Sequence, residues 1–249
     1  MELTLAEVLT GLFSLIFIII SIFVGLKITR KYSEHKKIEY LLVGITWIGI
    51  VFPWFPSAIT FLLVIFTDIL LSPETRFILG FGLIPAFLVI WIAAFTEITY
   101  KEIQKKLLII ATVVCTSLQV TFITLIFIDI SLIGVQVGLF HGTFTLFTRI
   151  YLLSILLTFF ITGIIFARKS IKLGDPDIKL RGKFLVLAFS FYTAGAILET
   201  LLPFTALTAV FIRLIMILSA FAFYFGFILP ETIKKILIKE TSVDEISSK

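Results

Sequence analysis

Two opposite charges lie in neighbouring apolar stretches near the C-terminal end of the chain. Glu199 interrupts the stretch 184–202. Arg213 interrupts the stretch 205–229, and Pro203 marks the tight turn between the two. An ionisable group in such a stretch is costly and is a functional-site hypothesis by default. Because the turn is short, we predict that the two segments form neighbouring helices and that Glu199 and Arg213 form an ion pair. The pair is interpreted either as a polar anchor for a ligand or as a structural lock between two helices.

Three further polar residues are predicted at a similar depth. Asp129 ends one apolar stretch, Arg149 lies one to two turns inside the next, and His141 lies in the connection between them. Together with Glu199 and Arg213, these residues form the candidate ligand-binding set. In the alternative interpretation, Asp129 and Arg149 form a second, separate helix-pair lock, and His141 is an interfacial histidine. Both interpretations stay open from the sequence.

Several kinds of chemistry lack the residues that they need. Retinal forms a Schiff base with a lysine in the last span, where this chain has Arg213. The only two histidines, His35 and His141, do not make a zinc constellation. The sequence has no His-Glu-x-x-His, no Gly-x-Ser-x-Gly and no phosphate-cradling glycine-rich loop. We therefore expect no enzyme activity, no cofactor and no metal.

The apolar residues run in long blocks, which predicts an all-α membrane bundle. Hydrophobic residues make up 59% of the 249-residue chain, and the mean hydropathy is +1.16. Blocks of about 18 or more apolar residues are typical of transmembrane helices. We predict a single domain, 1–249, with seven spans in a multi-pass protein of the cell membrane. The predicted spans are 8–26, 40–71, 77–98, 107–130, 144–166, 184–202 and 205–229.

The second predicted span is too long to be one straight helix. As a single helix, 40–71 would extend about 48 Å, whereas the hydrocarbon layer is about 30 Å thick. Proline removes a helix hydrogen bond, so we predict a break or kink near Pro53 and Pro56. The segment 58–71 then continues the span, re-enters the membrane or lies at its surface. Trp54 is interpreted as part of an interfacial aromatic belt, and Pro85 predicts a kink in the third span.

The basic residues predict the orientation. With seven spans, all of the 21 Lys and Arg residues except Arg76, Arg149 and Arg213 fall on one side of the membrane. Because cytoplasmic loops carry the excess of Lys and Arg, we predict an outer N-terminus, an inner C-terminus and a cytoplasmic tail, 231–249. The net charge of +5 therefore indicates topology, and we expect no nucleic-acid partner.

Three stretches resemble a family. Residues 53–57 read Pro-Trp-Phe-Pro-Ser, 94–101 read Ala-Phe-Thr-Glu-Ile-Thr-Tyr-Lys, and 223–230 read Phe-Tyr-Phe-Gly-Phe-Ile-Leu-Pro. They resemble a group of uncharacterised archaeal seven-helix membrane proteins. The topology is also similar to the seven-helix sensor modules of histidine kinases. The resemblance implies the architecture and no particular activity, because fold analogy does not establish function.

The first functional hypothesis is a receptor-like or sensor-like protein. A small ligand would bind in the outer half of the bundle, and helix movement would alter the basic loops 27–37 and 168–183. These loops would then contact a cytoplasmic protein partner. Two alternatives are a small-solute transporter, for which a broken second span is a hint, and a structural or assembly subunit whose charges only lock helices together.

Overall fold

The computed structural model describes residues 3–140, 142–173, 175–202 and 205–237. Within these residues, seven helical segments are long and apolar enough to cross a membrane, which confirms the all-α, seven-helix architecture. Besides short 3₁₀ and π segments and a helical stretch at 231–237, the described part of the chain includes nine named α-helices and two short strands. They are α1 (Leu5–His35), α2 (Ile38–Ile50), α3 (Phe55–Thr67), α4 (Pro73–Phe77), α5 (Ile84–Thr99), α6 (Gln104–Ile128), β1 (Gly134–Gln136), β2 (Gly142–Phe144), α7 (Leu146–Lys172), α8 (Pro176–Leu201) and α9 (Ala206–Phe227).

Six helices close a ring. Contacts run from α1 to α2, then to α5, α7, α8 and α9, and from α9 back to α1. Helix α6 lies outside this ring and packs mainly on α5, so that only Cys115, Phe122 and Ile126 of α6 are buried. Aromatic side chains fill the interior, where the rings of Trp47 and Phe223 stack 4.0 Å apart. A ring of helices around an aromatic core leaves the remaining apolar faces to the lipid.

Several helices extend beyond the predicted spans into the basic segments. Helix α1 continues to His35, where Lys36 ends it in a left-handed conformation with φ 55°. Helix α7 continues to Lys172, and α8 begins at Pro176 after the Asp175 cap. Lys and Arg are good helix formers, so a helix can continue after its apolar stretch has ended. We call this end of the bundle, at which α1, α5, α7 and α9 finish, the basic end.

The opposite end carries the connections from α3 to α4, from α6 to α7 and from α8 to α9, and we call it the connector end. The α6–α7 connection contains a small antiparallel hairpin, in which Gly134 pairs with Phe144 and Gln136 with Gly142. A side chain at position 134 would collide with the carbonyl oxygen of Thr143, so the pairing requires glycine.

The predicted break in the second span is confirmed. Helix α2 ends at Ile50, a 3₁₀ turn spans Phe52–Trp54, and α3 continues to Thr67. Helix α3 packs against α1, so residues 58–67 continue the span as a regular helix. The Tyr192 hydroxyl donates to the Ile50 carbonyl oxygen at 2.6 Å. The helix is interrupted here, so the Ile50 carbonyl oxygen needs a donor from elsewhere, and Tyr192 supplies it. In an apolar surrounding every backbone polar group must be satisfied within the protein.

The third span is irregular just before Pro85. The five residues Ile78–Gly82 form a π-helix, and α5 begins at Ile84 with Pro85 in its first turn. Proline cannot donate to the carbonyl four residues earlier, which belongs to Phe81. The Tyr151 hydroxyl donates to that carbonyl oxygen at 2.8 Å. The sequence therefore predicted an irregularity in this span, and the structure places it one turn earlier, as a π segment.

Candidate functional site

The predicted pair between Glu199 and Arg213 forms. The Nη1 atom of Arg213 donates to Oε2 of Glu199 at 3.0 Å, and Nη2 donates to Oε1 at 2.8 Å. Two parallel bonds between a planar guanidinium and a carboxylate are stronger and more directional than a single charged contact. The pair therefore fixes the position of α9 relative to α8 near the connector end.

Two further side chains complete a polar cluster. The indole Nε1 of Trp54 donates to Oε2 of Glu199 at 2.6 Å. The Nε atom of Arg213 donates to Oγ of Ser14 at 2.9 Å. We call Ser14, Trp54, Glu199 and Arg213 the Glu199 cluster. It joins α1, the 3₁₀ turn of the second span, α8 and α9, so a change at one carboxylate reaches four segments of the bundle.

The two charges of the cluster differ in exposure. The side chain of Arg213 is 3% exposed, whereas that of Glu199 is 36% exposed. Aromatic rings enclose the cluster on the interior side, because Phe17 and Tyr192 each lie edge-on to Trp54, at centroid distances of 5.5 and 5.8 Å. The carboxylate therefore has one side against the protein and one side open.

Local structure explains why these residues meet. Glu199 lies in the last turn of α8, and Arg213 lies about two turns after the start of α9. Arg213 lies about 10 Å from the start of α9 and Glu199 about 3 Å from the end of α8. The two side chains therefore have to cover about 7 Å, and the long arginine side chain does so along the helix surface. The pair is thus a product of the short connection between two antiparallel helices.

Ser14 and Trp54 were missed as site residues from the sequence. The aromatic-belt interpretation of Trp54 is wrong, because the residue is only 5% exposed and its indole nitrogen bonds to Glu199. One signal was available: the proline break at Pro53 and Pro56 falls at the same end of the bundle as Glu199. Ser14 carries no comparable signal, because serine is common in the interfaces of membrane helices.

Asp129 and Arg149 do not join the Glu199 cluster. Asp129 caps the turn that follows α6, where its carboxylate accepts the Ser131 backbone N–H at 2.9 Å. The hydrogen bonds from the Ser131 side chain and backbone hold the pKa of the Asp129 carboxyl below its usual range. The Nε atom of Arg149 donates to the Phe144 carbonyl oxygen at 3.0 Å. Asp129 and Arg149, which both belong to the described residues, form no salt bridge with each other. His141 lies outside the described residues.

The Glu199 cluster can offer two kinds of binding chemistry. The open side of the carboxylate can accept a cationic or hydrogen-bond-donating group, because an ionised carboxylate has about four acceptor positions. Arg213 is only 3% exposed and directs both of its terminal nitrogens at Glu199, so an anionic group would reach it only when Glu199 moves. A ligand at this position would therefore meet Glu199 first.

The fold and the site together define an integral membrane protein with seven spanning helices and a polar cluster near one end of the bundle. Comparisons with family models, with curated proteins and with solved structures find no match to this chain. Its function must therefore be inferred from the geometry of its own residues.

Replacing Trp54 with phenylalanine tests the indole bond to the carboxylate. A hydrogen bond to a charged group contributes roughly 1.5–3 kcal/mol, so we expect Trp54→Phe to lower the unfolding free energy by about 2 kcal/mol. The matched control is Trp91→Phe, because Trp91 donates at 2.7 Å to the neutral hydroxyl of Thr162 and should lose about 1 kcal/mol. Reversible unfolding in mixed micelles measures both. An equal or larger loss for Trp91→Phe would contradict the assigned bond to Glu199.

Proposed function

We propose that this protein is a receptor-like membrane sensor whose Glu199–Arg213 pair responds to a small ligand. The observation that supports the proposal is the position of a partly exposed carboxylate at the junction of four segments. A buried charge such as that of Arg213 is costly to maintain in an apolar surrounding. A site that only needed packing could use apolar side chains instead.

The proposed ligand carries a positively charged or strongly hydrogen-bond-donating group. Such a group would bind the open side of Glu199 and compete with Arg213 and Trp54 for its oxygens. A ligand shifts a conformational equilibrium only through a difference in affinity between two states. The two states proposed here are the paired cluster and a state in which Glu199 has turned toward the ligand and α9 has shifted.

Contacts at the basic end join α8 to the end of α9 and to the segment that follows it, and they also join α7 to α5. The Arg181 side chain of α8 donates to the Phe227 carbonyl oxygen at the end of α9, at 2.7 Å. Lys169 of α7 donates to the Thr99 carbonyl oxygen of α5, also at 2.7 Å. Lys234 pairs with Asp177 at 2.5 Å. A movement of α9 would alter the first and third of these contacts, and it would change the basic surface offered to the proposed cytoplasmic partner.

A thermal-stability screen of the purified protein in nanodiscs, with a library of small cationic and zwitterionic metabolites, tests the proposal. A ligand that binds only the folded protein raises its stability by mass action. We expect at least one compound to raise the melting temperature of the parent and not that of Glu199→Gln. The control variant is Glu97→Gln, which changes a carboxylate paired with Lys101 near the basic end and should keep the response.

The screen also distinguishes the other functions. A compound that shifts the parent and is then taken up by proteoliposomes would indicate a small-solute transporter. A structural or assembly subunit is favoured by one observation: each of the three Arg213 nitrogens bonds to a side chain within the bundle. That function predicts no response to any compound and a stable complex with another membrane protein, and this outcome would reject the sensor proposal.

A further inference from the structure

A second arginine, Arg76, lies buried near the connector end outside the Glu199 cluster. It belongs to the short helix α4 that begins the third span, and it is 8% exposed. Its Nη2 atom donates to Oγ1 of Thr60 at 3.0 Å and to the Leu139 carbonyl oxygen. Both partners are neutral, so neither compensates the positive charge.

The guanidinium keeps unused donors. Its Nε atom is buried and has no hydrogen-bond partner, and both of its hydrogen bonds to described residues leave from Nη2. Arginine has five N–H donors in a planar fork. Among the described residues no carboxylate forms a salt bridge with it, in contrast to Arg213. A buried charge without a counter-charge is strongly disfavoured, so this arrangement calls for an anionic partner.

The surroundings hold the side chain in place. Thr60 is itself 1% exposed, and it lies on α3, whereas Leu139 belongs to the loop of the hairpin. The ring of Phe144 packs on those of Phe77 and Phe81, at centroid distances of 6.1 and 5.3 Å. The guanidinium is therefore held between α3, α4 and the hairpin, and it is not a flexible surface side chain.

The position along the span suggests which anion is available. Arg76 comes three residues after Pro73, the first residue of the span, which corresponds to about 5 Å of helix. The polar headgroup region is about 5–7 Å thick on each side of the hydrocarbon layer. With Pro73 taken as the start of the span, Arg76 is at the level of the lipid phosphates, which dissolved phosphate also reaches from the water.

We propose that the Arg76 guanidinium binds a phosphate group, carried by a lipid headgroup or free in solution, through its Nη1 donors, which no described residue engages. Arginine suits this role because its guanidinium stays charged when it is buried and can bond to protein groups and to a phosphate at the same time. The bound phosphate supplies the missing negative charge and secures the hairpin on α3 and α4. The site is separate from the Glu199 cluster and does not depend on the proposed sensor function.

The test measures the melting temperature of the full-length protein in an uncharged maltoside detergent. One arm compares sodium phosphate with sodium chloride at equal ionic strength. The other compares added phosphatidylglycerol with the diacylglycerol of the same chains. At about 100 times Kd we expect phosphate or phosphatidylglycerol to raise the melting temperature of the parent by about 5 °C. The arm that responds identifies the source of the phosphate.

Variants assign the response to Arg76. The response should disappear in Arg76→Gln and persist in Arg149→Gln, which changes an exposed arginine at the same end. If Arg76→Gln does not fold, Arg76→Lys takes its place in the test. This variant keeps the positive charge without the guanidinium, and its affinity for phosphate should be at least tenfold lower than that of the parent. The proposal is overturned if neither probe shifts the parent, if Arg76→Gln responds like the parent, or if Arg76→Lys binds as tightly.

Discussion

Replacing Glu199 with leucine is expected to destabilise the bundle by about 3 kcal/mol. Removing one partner of a buried ion pair costs roughly 3–5 kcal/mol, because the other charge is left uncompensated. Here the remaining charge is Arg213, which is 3% exposed, and it would keep only Ser14 as a described polar partner. The value lies at the low end of the range because Glu199 is 36% exposed and already partly hydrated.

The reciprocal variants make this prediction specific. Arg213→Met leaves Glu199 with the Trp54 bond and with access to water, so its cost should be smaller than that of Glu199→Leu. The double variant should recover most of the lost stability, since apolar replacement of a whole buried pair is often close to neutral. Equilibrium unfolding of all four proteins in mixed micelles gives the coupling energy. Additive losses in the double variant would contradict a direct pair.

The second large effect concerns the contact between α1 and α2. A Cβ atom at Gly44 would lie 2.5 Å from the Gly25 carbonyl oxygen and would also collide with Thr29. Because backbone atoms of α1 stand in the way, the two helices would have to separate. Overpacking costs about 1–3 kcal/mol, and the gain in helix propensity from glycine to alanine returns up to about 1 kcal/mol. We expect Gly44→Ala to lose about 2 kcal/mol of unfolding free energy.

Gly138→Ala is the matched control for this substitution. The same added methyl group at Gly138 would meet nothing within 4 Å, so its unfolding free energy should change by no more than about 0.5 kcal/mol. Unfolding in mixed micelles compares the two variants directly. The close packing of α1 on α2 would be contradicted if Gly44→Ala were as stable as the parent.

The seven-helix fold could be predicted from the sequence because lipid imposes the same requirement on every span, which must be an apolar helix. Long apolar blocks predicted seven helices, and the prolines at 53 and 56 predicted the interruption of the second span; the structure has both. The Glu199–Arg213 pair also followed, because a tight turn makes two helices neighbours. In each case the residues on which the prediction depends lie close together in the sequence.

The contacts that could not be predicted join distant parts of the chain. Trp54 lies 145 positions from Glu199, and Ser14 lies 199 positions from Arg213. Neither contact follows from periodicity, because both depend on the order of helices around the ring. For the same reason the tyrosines that satisfy the carbonyl groups at Ile50 and Phe81 could not be assigned beforehand. The hairpin was missed because its strands have three residues each.

The sensor proposal requires a seven-span chain with its connector end outside the cell, where the Glu199 cluster can meet a ligand. Single cysteines in a Cys115→Ala background test this directly, with a membrane-impermeant maleimide on intact cells. Val137→Cys places a thiol in the hairpin loop, where Val137 is 65% exposed. Ser33→Cys places one near the basic end. The account predicts labelling at 137 on intact cells and labelling at 33 only after permeabilisation. Labelling at 33 on intact cells with protection at 137 would contradict it.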